Sequence, residues 1–140
     1  MGRRPDPRAR DHVRVTAAGR WAKAYERAWR AGDGEAAAAL YAEDCVFRSH
    51  PFRELEDARA YMRRVVPEAE APEVWFGEPV EEGDVAAVEY WALLVEPNGT
   101  ESTIAGLHRI RFGPDGLVAE ARDYWHLEPG HRRPPPEWGR

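Results

Sequence analysis

A single cysteine stands in 140 residues. Alone, Cys45 excludes an internal disulfide and a cysteine-rich metal site, and such usage fits a reduced, cytoplasmic protein. No apolar run approaches the roughly 20 residues that a membrane helix needs. Arg3-Arg4 would open a twin-arginine signal, but no apolar stretch follows. The five histidines are scattered, with no His-x-His or HExxH spacing, so no metal is expected. Basic residues form no cluster and the net charge is -5, which argues against a nucleic acid partner. There is no internal repeat.

What is present suffices for one ordinary domain. The chain is 43% hydrophobic, and a chain of this length buries roughly two-thirds of its unfolded surface. Residues 1–12 (MGRRPDPRARDH) and 129–140 (PGHRRPPPEWGR) are rich in proline and arginine, and read as tails around a body at 13–128. Trp138 is the exception, an apolar group able to lie back on the body. Asn98-Gly99-Thr100 matches a glycosylation sequon, but a tight turn explains it better.

Thr16 can cap a helix that runs to Ala31 and stops at Gly32. Trp21, Tyr25 and Trp29 make one aromatic stripe on it. Asp33 can cap a second, alanine-rich helix to about Ala42. CVFRSHPF (45–52) reads as a short strand, and 56–66 as a third helix ended by Pro67. Four strands follow, over 73–79, 85–95, 101–112 and 117–127, joined by EEGD, PNG and GPDG. The short turns make them antiparallel. The order ααβαββββ predicts an α+β fold, with helices on one face of a curved sheet.

Side chains alternate between faces along a strand. Leu117, Ala119, Ala121, Asp123, Trp125 and Leu127 share a face that reads as core, yet Asp123 lies in its middle. Val85, Ala87, Glu89, Trp91, Leu93 and Val95 share another, with Glu89 the only charge. Ile104, Gly106, His108, Ile110 and Phe112 share a third, with His108 the only ionisable group. Burying an unpaired carboxylate costs several kcal/mol, so each group needs a partner or water. Three readings fit: a closed polar network in the core, a register that puts Glu89 on the outer face, or a wet cavity with Tyr25, Trp29, Phe47 and Trp75 in its aromatic wall. His50, at the end of its strand, is either a turn residue or part of the site. On the opposite face, Tyr90, Leu94, Leu107 and Tyr124 form an apolar patch that predicts a homodimer through the sheet.

The segments AYERAWRAGDGEAAAALYAEDCVFRSHPF, RAYMRRV, GDVAAVEYWALL and DGLVAEARDYW resemble the nuclear transport factor 2-like superfamily, and within it the SnoaL-like proteins of bacteria. The resemblance covers residues 17–127. It implies a cone-shaped α+β barrel wrapped around three helices, with a pocket between sheet and helices, and often a dimer. It also implies an activity drawn from isomerases, dehydratases, epoxide hydrolases and cyclases, or none. Tyr25 matches the oxyanion-binding tyrosine of ketosteroid isomerases, and His108 falls where they keep a protonated aspartic acid. Their base aspartate corresponds to Ser49. Asp123 in RDYW resembles the aspartate of the RDYF segment in limonene epoxide hydrolases, whose Arg and second Asp correspond to Glu89 and Trp91.

The reading from sequence is therefore a cofactor-independent acid/base enzyme acting on a small apolar metabolite. Asp123, Glu89, His108 and Tyr25 would carry the chemistry. Trp29, Phe47, His50, Trp75, Trp91 and Trp125 would bind the substrate. The alternatives are a non-catalytic ligand-binding module and a dimeric assembly protein with a vestigial pocket.

Overall fold

A computed structural model describes residues 15–140; the N-terminal segment read as a tail lies outside them. Helix α1 (Ala17–Ala31) starts where Thr16 accepts a hydrogen bond from the Gly19 N–H, and ends at Gly32 with φ of 64°, a left-handed conformation that glycine adopts without strain. Helix α2 (Gly34–Ala38) is capped by Asp33 in the same way. It is shorter than alanine content suggests, because Tyr41 already belongs to strand β1 (Tyr41–Arg48). A two-residue strand β2 (Glu56–Asp57) leads into helix α3 (Ala58–Val65). The remaining strands are β3 (Glu70–Phe76), β4 (Val80–Glu82), β5 (Val85–Val95), β6 (Glu101–Phe112) and β7 (Val118–Pro129). Strands β2 and β4 are too short to show any periodicity in sequence.

The sheet runs β2-β1-β7-β6-β5-β3, with β4 also paired to β5. All pairs are antiparallel except β1 with β7. The fold is thus α+β, with three helices in the hollow of a curved, unclosed sheet. Helix α1 lies across that hollow, with Ala18, Trp21, Ala22, Tyr25 and Ala28 buried against it. Among the described residues no helix is long and apolar enough to cross a membrane.

The face of each strand decides the site. On β6, His108, Ile110 and Phe112 are buried, as alternation predicts. On β7 a bulge opposite Arg111 and Phe112 turns both Val118 and Ala121 inward, so Ala119 leaves the inner set while Asp123 stays. On β5 the expected face is reversed. Ala86, Val88, Tyr90 and Ala92 are buried, while Glu89 and Trp91 lie on the outer side. Strand β3 follows, because Trp75 pairs with Trp91, and Phe76 with Tyr90.

The reversal has a packing cause. Both faces of VAAVEYWALLV are apolar, and the outer one is covered by the chain's last residues. The Trp91 indole donates to the Arg132 carbonyl at 2.7 Å, and its ring meets Trp138 edge-on at 6.1 Å. Thr103 Oγ1 donates to the Gly130 carbonyl and accepts from the Arg132 N–H. The Gly139 carbonyl accepts from the Glu78 N–H.

Candidate active site

A cavity of about 540 Å³ opens between α1, α3 and the inner face of β5, β6 and β7, within the roughly 300–1,000 Å³ usual for small-molecule sites. Strand register builds its floor. Val88, His108 and Asp123 stand in one row across β5, β6 and β7, and Tyr90, Gly106 and Trp125 in the next. Without a side chain at Gly106, Tyr90 reaches over β6 to β7 and donates to Asp123 Oδ1 at 2.9 Å. A Cβ on Gly106 would stand 2.8 Å from the Tyr90 hydroxyl oxygen and 2.4 Å from the Tyr124 carbonyl oxygen. Tyr25, Trp29, Tyr61 and Met62 form the helical wall.

The electrostatics follow from this enclosure. The Asp123 side chain is 13% exposed. Burial pushes its pKa from 3.8 up to about 8, against the opposing effects of the Tyr90 hydrogen bond, the Tyr124 backbone and the Arg53 charge. At neutral pH it is mostly a carboxylic acid. Burial pushes His108 the other way, from 6.5 to about 3, so its imidazole is neutral. Its Nδ1 lies 3.8 Å from Asp123 Oδ1, too far for a hydrogen bond, and has no partner among the described residues. The ring packs edge-on to Trp21 at 5.1 Å and beside Tyr90 at 4.6 Å. Among the described residues the Tyr25 hydroxyl has one hydrogen-bond partner, the Met62 sulfur at 3.6 Å, and thioether sulfur is a weak acceptor. Burial raises its pKa, and that of Tyr90, well above 10.

Of the residues singled out in the sequence, Asp123, His108, Tyr25, Trp29 and Trp125 line the cavity. Glu89, Trp91 and Trp75 do not, because β5 and β3 turn them outward. Phe47 is fully buried between Tyr41 and Tyr61, in the core behind the wall. His50 accepts from the Phe52 N–H and meets Trp125 edge-on at 4.8 Å, without reaching the cavity. Tyr90 and Leu94, expected on the outer patch, are cavity residues. The signal that could have found Tyr90 is Gly106, since a glycine inside a strand marks the close approach of another group. Among the described residues no three His, Cys, Asp or Glu side chains are grouped to hold a metal ion.

The model of a family described as SnoaL-like domain matches residues 21–121. No curated protein matches the chain by sequence. A Delta 5-3-ketosteroid isomerase from Mycobacterium sp. superposes with a TM-score of 0.67 at 20% identity, covering 80% of this chain and 95% of that one. The epoxide hydrolase/cyclase-like enzyme SalBIII, of pyran ring formation in salinomycin, gives 0.68 at 20%, covering 79% and 94%. A computationally designed 17-OHP binder gives 0.70 at 20%, covering 82% and 99%. At these identities the likeness is one of fold.

Proposed function

The chain belongs to the family of SnoaL-like domains, and from that premise we propose that its cavity takes a small, largely apolar metabolite and moves a proton on it without a cofactor. The observation that carries this reading is the placement of Asp123: a carboxyl group at the floor of an aromatic cavity, oriented by Tyr90, with its pKa raised to about 8. A carboxylate of that basicity exchanges a proton near neutral pH, where an exposed aspartate cannot.

In its ionised form Asp123 takes a proton from a carbon next to a carbonyl. The C–H electron pair moves into the enolate, and the developing oxyanion accepts hydrogen bonds from Tyr25 and neutral His108. Asp123, now a carboxylic acid, returns the proton to another carbon or to the oxygen. Tyr25 gives up little to do this, since its present partner is a sulfur. The same groups suit water addition, or ring closure of the kind named for the epoxide hydrolase/cyclase-like neighbour in pyran ring formation. Activity should rise with pH through about 8.

A benzisoxazole that opens its ring on losing one proton tests the base without knowledge of the substrate. The wild type is expected to accelerate it, with Asp123→Asn about 10²-fold slower. Equal rates in the two proteins would remove Asp123 from the chemistry. Binding without turnover is the second reading, and the designed 17-OHP binder, named only for binding, favours it. A cavity of about 540 Å³ leaves little support for a vestigial pocket.

We further propose a homodimer through the outer face of β1, β7 and β6. There Val46, Tyr124 and Leu107 are 50%, 43% and 36% exposed.

A further inference from the structure

The rim of the cavity is charged, and its charges are not equivalent. Arg64 pairs with Glu56 at 3.2 Å and lies over Tyr61. Glu56 also accepts from Ser49 Oγ at 3.2 Å. Arg53 lies over the ring of Trp125, 5.3 Å from its centroid, and donates to Ser49 Oγ at 3.2 Å. It pairs with no carboxylate among the described residues. Ser49 thus sits between Glu56 and Arg53, and this side of the rim carries two cations and one carboxylate.

Glu68 and Glu96 also line the mouth, after α3 and β5. The Arg53 charge acts on both Asp123 and Tyr61, and that of Glu56 on Tyr61. Arg53 is exposed at the mouth, with its guanidinium held over Trp125 and against Ser49. Its guanidinium stacks on a cavity wall with donors to spare, and suits a planar oxyanion.

We propose that the ligand of this cavity is an amphiphile, an apolar body bearing an anionic group such as a carboxylate, and that Arg53 is the residue that selects it. This rests on the reading of the cavity as a small-molecule site and adds the substrate class. The apolar body fills the space between Trp29, Leu94 and Ile104 and the floor, while the anion replaces the missing partner of Arg53 at the mouth. An ion pair formed on an aromatic wall, partly shielded from water, exceeds one formed in open solvent.

The test uses three ligands of one shape, 2-naphthoate, 2-naphthamide and 2-naphthylmethylamine, titrated calorimetrically at pH 7 into the wild type, Arg53→Gln and Arg53→Lys. The wild type is expected to bind the carboxylate about tenfold or more tighter than the amide, and the amine weakest. Arg53→Gln should erase the preference, bringing the carboxylate down to the affinity of the amide. Arg53→Lys should keep part of it. Equal affinity for the acid and the amide in the wild type overturns the selection by Arg53 and leaves the cavity a neutral-ligand site. Tighter binding of the amine assigns the rim to Glu68 and Glu96 instead. Equal weakening of all three ligands in Arg53→Gln makes Arg53 structural. No binding by any of them at millimolar concentration overturns both this inference and the small-molecule reading beneath it.

Discussion

Asp123 and His108 face one another across β6 and β7, and they pull stability in opposite directions as pH changes. Folding raises the Asp123 pKa from 3.8 to about 8. The native state then keeps a proton that the unfolded chain has released, so stability falls as pH climbs between those values. Folding lowers the His108 pKa from 6.5 to about 3. The native state lacks a proton that the unfolded chain holds, so stability falls as pH drops through that interval. From about pH 4 to 6.5 the two slopes cancel, and from 6.5 to 8 Asp123 acts alone. At about 1.4 kcal/mol per pH unit this is a loss of about 2 kcal/mol. Urea unfolding at both ends of that range should show this loss in the wild type and none in Asp123→Asn, which should be the more stable protein at pH 8. A variant that declines in step with the wild type would place the buried proton elsewhere. Tyr90→Phe tests the orienting hydrogen bond. That bond lowers the Asp123 pKa, so its loss should move the titration of the Asp123 carboxyl carbon, followed by NMR, to higher pH. A downward or absent shift would mean that Tyr90 does not act on the carboxyl group.

At the scale of the strand, the site depends on a residue with no side chain. Gly106 stands between Tyr90 and Trp125 on the inner face, and any Cβ there meets backbone as well as the Tyr90 hydroxyl. Gly106→Ala is expected to lower stability by about 1–3 kcal/mol through overpacking, and to break the Tyr90–Asp123 contact. A melt within experimental error of the wild type would show that β6 can move aside. Strand β5 shows why elements were easier to read than their faces. Its ends agree with the sequence reading, because turns are written in residues such as Pro97, Asn98 and Gly99. Its face was not legible, because nearly every residue is apolar and the lone Glu89 suggested a pocket. The covering that makes the outer side apolar comes from Trp138, more than 40 residues further on.

On the whole molecule, the outer sheet face carries an unusual row. Arg48 pairs with Arg122, and Arg122 with Arg109, across β1, β7 and β6. None of the three has a carboxylate partner among the described residues, and Arg122 Nε is buried without an acceptor. Like charges opposite one another on a sheet destabilise it. Glu89 lies on the same face one row away, beside Leu107 and Tyr124, so a second copy could supply the missing carboxylates. The homodimer proposed above is then expected to weaken with salt, and Arg122→Glu to dissociate it. Light scattering at micromolar concentration checks both, and a monomer mass in low salt would remove the sheet as an interface.

Local chemistry alone determined much of this protein. The caps at Thr16 and Asp33, the stop at Gly32, the long strands β5 and β6 and the α+β order follow from side chains acting within a few residues of themselves. So did the inward placement of Asp123 and His108, which follows from the alternation of side chains along their strands. Tertiary structure decided the rest. The C-terminal segment covering β5 chose the face that excludes Glu89, Trp91 and Trp75 from the cavity. The bulge in β7 set which small residues turn inward. Enclosure between the helices and the sheet raised the Asp123 pKa toward neutral pH, because a pKa depends on the water removed around a group, and that removal requires chain segments far apart in sequence.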